Sequence, residues 1–143
     1  MKTFLFIFVL LFSITFTNAQ NTESAKKTQL INVKIDKLPS HDGHVILTLH
    51  NEQTFMKGAG LKNIKAEIID GKVDVQFEGV TPGTYAIIVL HDTNDNNKMD
   101  FGETGRPKEA FGTSNNSMSF GPPQFANAKF EVTNTDLEMN IIL

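Results

Sequence analysis

Asp92, Asn94, Asn96, Asp100 and Glu103 set oxygen-bearing side chains at the first, third, fifth, ninth and twelfth positions of one run, Asp92-Thr93-Asn94-Asp95-Asn96-Asn97-Lys98-Met99-Asp100-Phe101-Gly102-Glu103. That is the spacing of an EF-hand calcium loop. Ca²⁺ is a hard cation that takes about six to eight oxygens near ~2.4 Å, and a chain coiling round it turns alternate side chains inward. On this pattern Asp92, Asn94 and Asn96 supply side-chain oxygens and Lys98 its backbone carbonyl. Asp100 binds directly or through water, and Glu103 closes the far side with both carboxylate oxygens. Asn97 stands at the sixth position, where the chain must turn sharply, and asparagine ranks next to glycine for positive φ. The competing reading is a solvated turn, because Asn and Asp dominate turns in any case.

Other residues near the run carry weaker signals. His91 adjoins the loop and is placed to hydrogen-bond a ligand carboxylate or face a cleft; Glu109, Asn115 and Asn116 are further candidates for ligand contacts. A lone histidine at a strand end is more often a packing residue. His44 and His50 share a strand face but lie ~20 Å apart along it, and no His-Glu-x-x-His motif supports zinc. Catalysis has little footing. The chain holds no cysteine and no Gly-x-Ser-x-Gly elbow, and Ser114 and Ser117 have no evident base. With no Trp and one Tyr, stacking platforms for a sugar are limited to phenylalanines.

The elements that must position the loop are strands. Period-two alternation of apolar and polar residues predicts strands near 29–37, 43–50, 63–69, 72–78, 84–91, 127–133 and 136–143. Tyr85 to Leu90 is apolar on both faces, which marks a central strand. Seven strands with greasy faces bury themselves best as two packed sheets, so the expectation is an all-β sandwich, Ig-like or prealbumin-like. Asp70-Gly71 is a type I′ signal that predicts a hairpin of 64–69 with 72–78, and Pro82-Gly83 fits the centre of a type II turn. Residues 91–127 show no strand or helix period, yet keep Phe101, Phe111, Phe120 and Phe125. That predicts a long ordered loop between strands five and six, pinned by an ion and by its aromatics.

Composition sets the outer bounds. Residues 1–19 read as a secretory signal peptide, with Lys2 before an apolar run from Phe4 to Phe16 and Ala19 at the cut. The apolar run is short for a ~30 Å hydrocarbon core, so no membrane anchor is expected. Residues 20–28 read as a flexible lead-in and 29–143 as the β-sandwich domain, exported to the periplasm or the medium. Without cysteine there are no disulfides, thiolate metal sites or lipoprotein attachment. Sixteen acidic against thirteen basic residues, with no Lys/Arg cluster, exclude a nucleic-acid footprint.

Two stretches resemble known families. Val75-Gln76-Phe77-Glu78-Gly79-Val80-Thr81-Pro82-Gly83-Thr84-Tyr85-Ala86 resembles the hairpin of prealbumin-like and carboxypeptidase-regulatory-like sandwiches, where a Pro-Gly turn precedes a strand opening with tyrosine. A longer run resembles the family catalogued as domain of unknown function 2141, bacterial exported proteins. It comprises Pro82-Gly83-Thr84-Tyr85-Ala86 through His91-Asp92-Thr93-Asn94, Pro107-Lys108-Glu109, Phe111-Gly112, Ser114-Asn115-Asn116 and Phe120-Gly121-Pro122-Pro123-Gln124-Phe125. The resemblance implies an exported prealbumin-like sandwich and supplies no activity. The sequence thus predicts a non-enzymatic, calcium-stabilised exported sandwich that binds or scaffolds a periplasmic or extracellular ligand at its loop end. The alternatives are a calcium-dependent glycan- or peptide-binding module, or a hydrolase using the 91–127 loop.

Overall fold

A computed structural model describes residues 27–117 and 121–143, so the segment read as a signal peptide, most of the lead-in and Phe120 lie outside the described residues. Among the described residues eight strands form two sheets: β1 (Gln29–Ile35), β2 (His44–His50), β3 (Lys62–Ala66), β4 (Val73–Val80), β5 (Gly83–Asp92), β6 (Phe111–Thr113), β7 (Phe130–Val132) and β8 (Leu137–Asn140). One sheet has the order β4-β1-β8; the other runs β3-β2-β5-β6, with β7 pairing the start of β5. The alternation in the sequence explains the sandwich. Ile31, Val33 and Ile35 of β1 point inward against Val45, Leu47 and Leu49 of β2 and Ile87 and Val89 of β5, all essentially without solvent contact. Their polar neighbours in β1, Asn32 and Lys34, face outward.

β5 is covered on both sides, as its two apolar faces require. Ala86 and Ile88 point away from the main core into a second, smaller cluster with Phe55, Phe125 and Ala128. That cluster seats a single helical turn, α1 (Phe125–Ala128), on the outer face of the sheet.

Three expectations need correction. The Asp70-Gly71 turn forms, with φ 51° and 72°, and Ile69 and Lys72 exchange both backbone hydrogen bonds at 3.0 Å. The hairpin does not extend beyond that bridge: β3 pairs with β2, and β4 pairs with β1 from Gln29↔Val80 to Ile35↔Val73. A two-residue turn fixes only its immediate flanks. Which strand each flank joins is decided by where its apolar face is buried, and here the turn carries the chain from one sheet to the other. The strand count rises from seven to eight because β6 divides the long loop expected between strands five and six. A 3₁₀ turn at Ser114–Asn116 follows it, and then α1, so that β7 begins at Phe130 instead of near 127. Lastly, Gly83 opens β5 and is absent from the positive-φ residues; Gly79, in β4, takes φ 66°. The Tyr85 ring packs close over Gly83, 3.2 Å from where a Cβ would stand, and its hydroxyl donates to Thr81 O at 2.9 Å.

Candidate metal loop and its supports

His44 pairs with Asp92 at one end of the β2–β5 ladder, so the acidic loop leaves the sheet directly from a paired residue. Asp92 is fully buried. Its two oxygens accept the backbone N–H groups of Asn96 at 3.1 Å and Asn97 at 2.6 Å, curling the chain back over its own first residue. The curl needs left-handed backbone, and Asp95 and Asn97 provide it with φ 58° and 61°. Asparagine and aspartate tolerate that region because their short polar chains bond locally. Lys65 of β3 donates to Asn97 Oδ1 at 3.1 Å and ties the tip to the sheet.

Inside the curl the side chains converge. Asn94 Nδ2 and Asn96 Nδ2 both donate to Asp100 Oδ2, at 2.7 and 2.8 Å. Asn94 Oδ1 accepts from Asn96 N at 3.3 Å, and Asn96 Oδ1 accepts from Lys98 N at 3.0 Å. Among the described residues no three His, Asp or Glu side chains group closely enough to hold an ion; the convergent set is two carboxylates and two carboxamides.

Glu109 closes the loop from beneath. It is 7% exposed. Its Oε1 accepts Thr93 N at 3.0 Å and its Oε2 accepts Asp100 N at 3.1 Å, so one carboxylate clasps both ends of the curl. Glu103 does not reach this set. After Asp100 the chain makes a narrow excursion and returns: Lys108 N donates to Asp100 O at 2.8 Å, Phe101 bridges Pro107, and Gly102 N donates to Arg106 O at 2.8 Å. Glu103 sits at the tip of that excursion, exposed and without a hydrogen bond among the described residues. Gly102, Gly105 and Pro107 are turn residues that signal such a reversal, and φ 74° at Gly105 shows one of them in use.

The remaining candidates divide. His91 is buried beside the loop but turned away from it: Nε2–H donates to Asp42 O at 2.9 Å, stapling the turn before β2 to β5. Gly43 makes that approach possible, since a Cβ there would lie 1.9 Å from Asp92 O. Asn115 and Asn116 belong to a different device. Both adopt left-handed backbone, φ 67° and 50°. Asn115 Nδ2 donates to Lys129 O at 2.8 Å; Asn116 donates to Asn140 O at 2.9 Å and accepts Ile142 N at 2.8 Å. Beside them the buried Ser114 hydroxyl donates to Ala128 O and accepts Ile87 N at 2.9 Å. The Ser114-Asn115-Asn116 run therefore fastens α1 and the last strand to the sheet. His91, Glu109 and Ser114, which a hydrolase would need around one open pocket, are each engaged with separate backbone groups.

His44 is the neighbour that motif spacing misses. It is 3% exposed, with Nδ1 hydrogen-bonded to Asp95 Oδ1 and Nε2 lying 3.3 Å from Asp92 Oδ2. Only the β2–β5 register brings it under the loop, so no local pattern in the sequence could have announced it.

A family model described as an uncharacterized protein conserved in bacteria (DUF2141) matches residues 33–140, from β1 through β8 and including the whole loop. No curated protein and no solved structure matches the chain.

Proposed function

The chain belongs to this family of uncharacterized bacterial proteins, DUF2141, and from its two-sheet fold and the loop at one end we propose an exported, non-enzymatic sandwich whose 92–109 loop is held by Ca²⁺ for a binding or scaffolding role. One observation carries the reading: the side chains of Asn94, Asn96 and Asp100 converge on one point, with Asp92 curling the backbone round it. Two amide donors on one carboxylate oxygen do in part what a cation does. A half-turn of each carboxamide exchanges its nitrogen for its oxygen, giving up the bonds from Asn96 N, which keeps Asp92 Oδ1, and from Lys98 N, which passes to solvent. Asn94, Asn96 and Asp100 would then face an ion with oxygen alone, beside Asp92 and the Lys98 carbonyl. A set rich in neutral oxygens, on a backbone able to adjust, suits Ca²⁺ better than the smaller, stricter Mg²⁺.

Export is supported by the charged start, apolar run and small-residue cut of residues 1–19. Among the described residues no helix is long and apolar enough to cross a membrane. Titration calorimetry on residues 20–143 tests the metal reading. Ca²⁺ should give a saturable heat, Mg²⁺ a weaker one, and Asp92→Ala or Asp100→Ala should remove it. No calcium heat at millimolar metal would end the proposal.

A further inference from the structure

The opposite end of the five-stranded sheet holds a second feature. β2 and β5 run from the His44–Asp92 pair to the His50–Ala86 pair, and beyond the latter a cleft of ≈ 560 Å³ opens between the 51–53 turn, the start of β5 and α1. Asn51, Gln53, Thr84, Gln124 and Phe125 line it, with Glu52 and Lys129.

Its walls are held in place from behind. Asn51 and Thr54 bond reciprocally, Thr54 N to Asn51 Oδ1 at 3.0 Å and Asn51 N to Thr54 Oγ1 at 3.2 Å, which fixes the turn. Phe125 meets Phe55 edge to face with centroids 5.6 Å apart, and Phe55 meets His50 likewise at 5.7 Å. Ala128, one turn on, is buried and gripped through its carbonyl by Ser114. A preformed cleft loses little entropy on binding.

The lining selects by chemistry. Among the described residues no protein partner engages Asn51 Nδ2, the Gln53 carboxamide, the Thr84 hydroxyl or Gln124 Oε1. Carboxamides and a hydroxyl offer donors and acceptors together, as vicinal hydroxyls require. Glu52 and Lys129 bring opposite charges, so the lining carries no net charge that would favour a phosphate, a carboxylate or a polycation over a neutral ligand. Phe125 is half-buried and, with Ala126 beside it, adds apolar surface suited to the C–H face of a pyranose. We propose that this cleft binds a neutral saccharide of one or two rings. The proposal is independent of the calcium loop, which lies at the other end of the sheet.

The test is chemical-shift mapping on ¹⁵N-labelled residues 20–143, titrated with maltose, cellobiose, xylobiose, lactose and chitobiose at millimolar concentration, and with trialanine and inorganic phosphate as contrasts. At least one disaccharide should shift residues 51–53, 84 and 124–129 saturably, with and without EDTA. Gln53 and Gln124 are exposed, so Gln53→Ala/Gln124→Ala should leave the fold intact and weaken that binding at least about tenfold, as expected for losing neutral hydrogen bonds. The proposal is overturned if no disaccharide shifts these residues, if trialanine or phosphate shifts them instead, or if the response maps to 92–109 and disappears with EDTA.

Discussion

The two halves of the stretch between Asp92 and Lys129 are ordered by different forces. In 92–109 carboxylates and carboxamides bond to the loop's own backbone and to one another, and Asp100 and Glu109 converge on it with like charge. In 111–117 and 121–129 the chain is laid on the sheet. β6 pairs with β5, Ser114, Asn115 and Asn116 fasten neighbouring backbone, and Phe125 packs into a small apolar cluster. The first arrangement brings carboxylates together, the charge that the proposed Ca²⁺ would balance. The second is fastened by neutral hydrogen bonds and apolar packing. If the calcium proposal holds, a single segment without visible period combines a half that responds to a cation and a half that does not.

The largest effect expected from this contrast is calcium's. A ligand bound only by the folded state stabilises it by RT ln(1 + [Ca²⁺]/Kd), about 2.7 kcal/mol at a hundredfold excess over Kd. Thermal melts should shift upward with calcium and return with EDTA. Limited proteolysis localises the effect: cuts near Gly102–Gly105 should appear only after chelation, while 111–116 and the strands stay protected. Equal cutting of both halves after chelation would erase the distinction between them.

Next in size is Ser114→Ala. The hydroxyl satisfies Ile87 N and Ala128 O, both buried, and leaving such groups unpaired costs about 1–3 kcal/mol. Chemical denaturation should show that loss, with calcium affinity unchanged because the Ser114 hydroxyl bonds only to Ile87 N and Ala128 O among the described residues. A variant that lost calcium affinity in step with stability would mean that the halves are coupled.

Glu109 and Glu103 give a sharper test of comparable size, read in calcium affinity. Glu109→Gln keeps the size but removes the charge from the clasp on Thr93 N and Asp100 N, and charge-assisted bonds of this kind contribute roughly 1.5–3 kcal/mol. Calcium affinity should fall by about tenfold or more. Glu103→Gln, at an exposed tip, should change it little. The reverse ranking in calorimetry would restore the twelfth-position ligand that the loop spacing alone suggests.

That ranking shows where the sequence was legible. Alternation placed β1, β2 and β4 closely, because each is long enough for period two to be seen, and β5 was legible instead as an unbroken apolar run that is covered on both faces. The left-handed turn at Asn97 was also readable, since loop spacing and asparagine's tolerance of positive φ agree there. β6 and α1, of three and four residues, are too short to show any period. Gly112 explains why β6 must be where it is, for a Cβ there would lie 2.4 Å from Ile142 O; that contact spans thirty residues of chain and leaves no local trace. The Asp70-Gly71 hairpin failed for a related reason. Turn chemistry is local, and strand partnership is not. Glu103 fits the spacing yet stands at an exposed tip, and Glu109 hydrogen-bonds both ends of the curl, because the excursion at 101–107 displaces the position that a continuous coil would have used.

The smallest effect separates the two ends of the sheet by pH. His50, at the cleft end, is 4% exposed, and burial holds its pKa below the usual value near 6.5, with the bond to Thr54 O opposing only in part. The native state therefore prefers the neutral imidazole. Above the unfolded pKa neither state binds the proton and His50 contributes nothing to pH dependence. As pH falls below about 6.5 the unfolded chain takes up a proton that the native state resists, so stability declines until the lower native pKa is passed. His50→Gln, which keeps a polar atom near Thr54, should flatten that portion of the stability–pH curve measured by urea titration. The change should accompany the packing around Phe55 and Phe125, not the calcium affinity of a loop that begins six ladder pairs away, at His44↔Asp92. A curve for the variant that still falls with the wild-type slope below pH 6.5 would assign the proton uptake to other groups and leave the cleft end insensitive to mild acid.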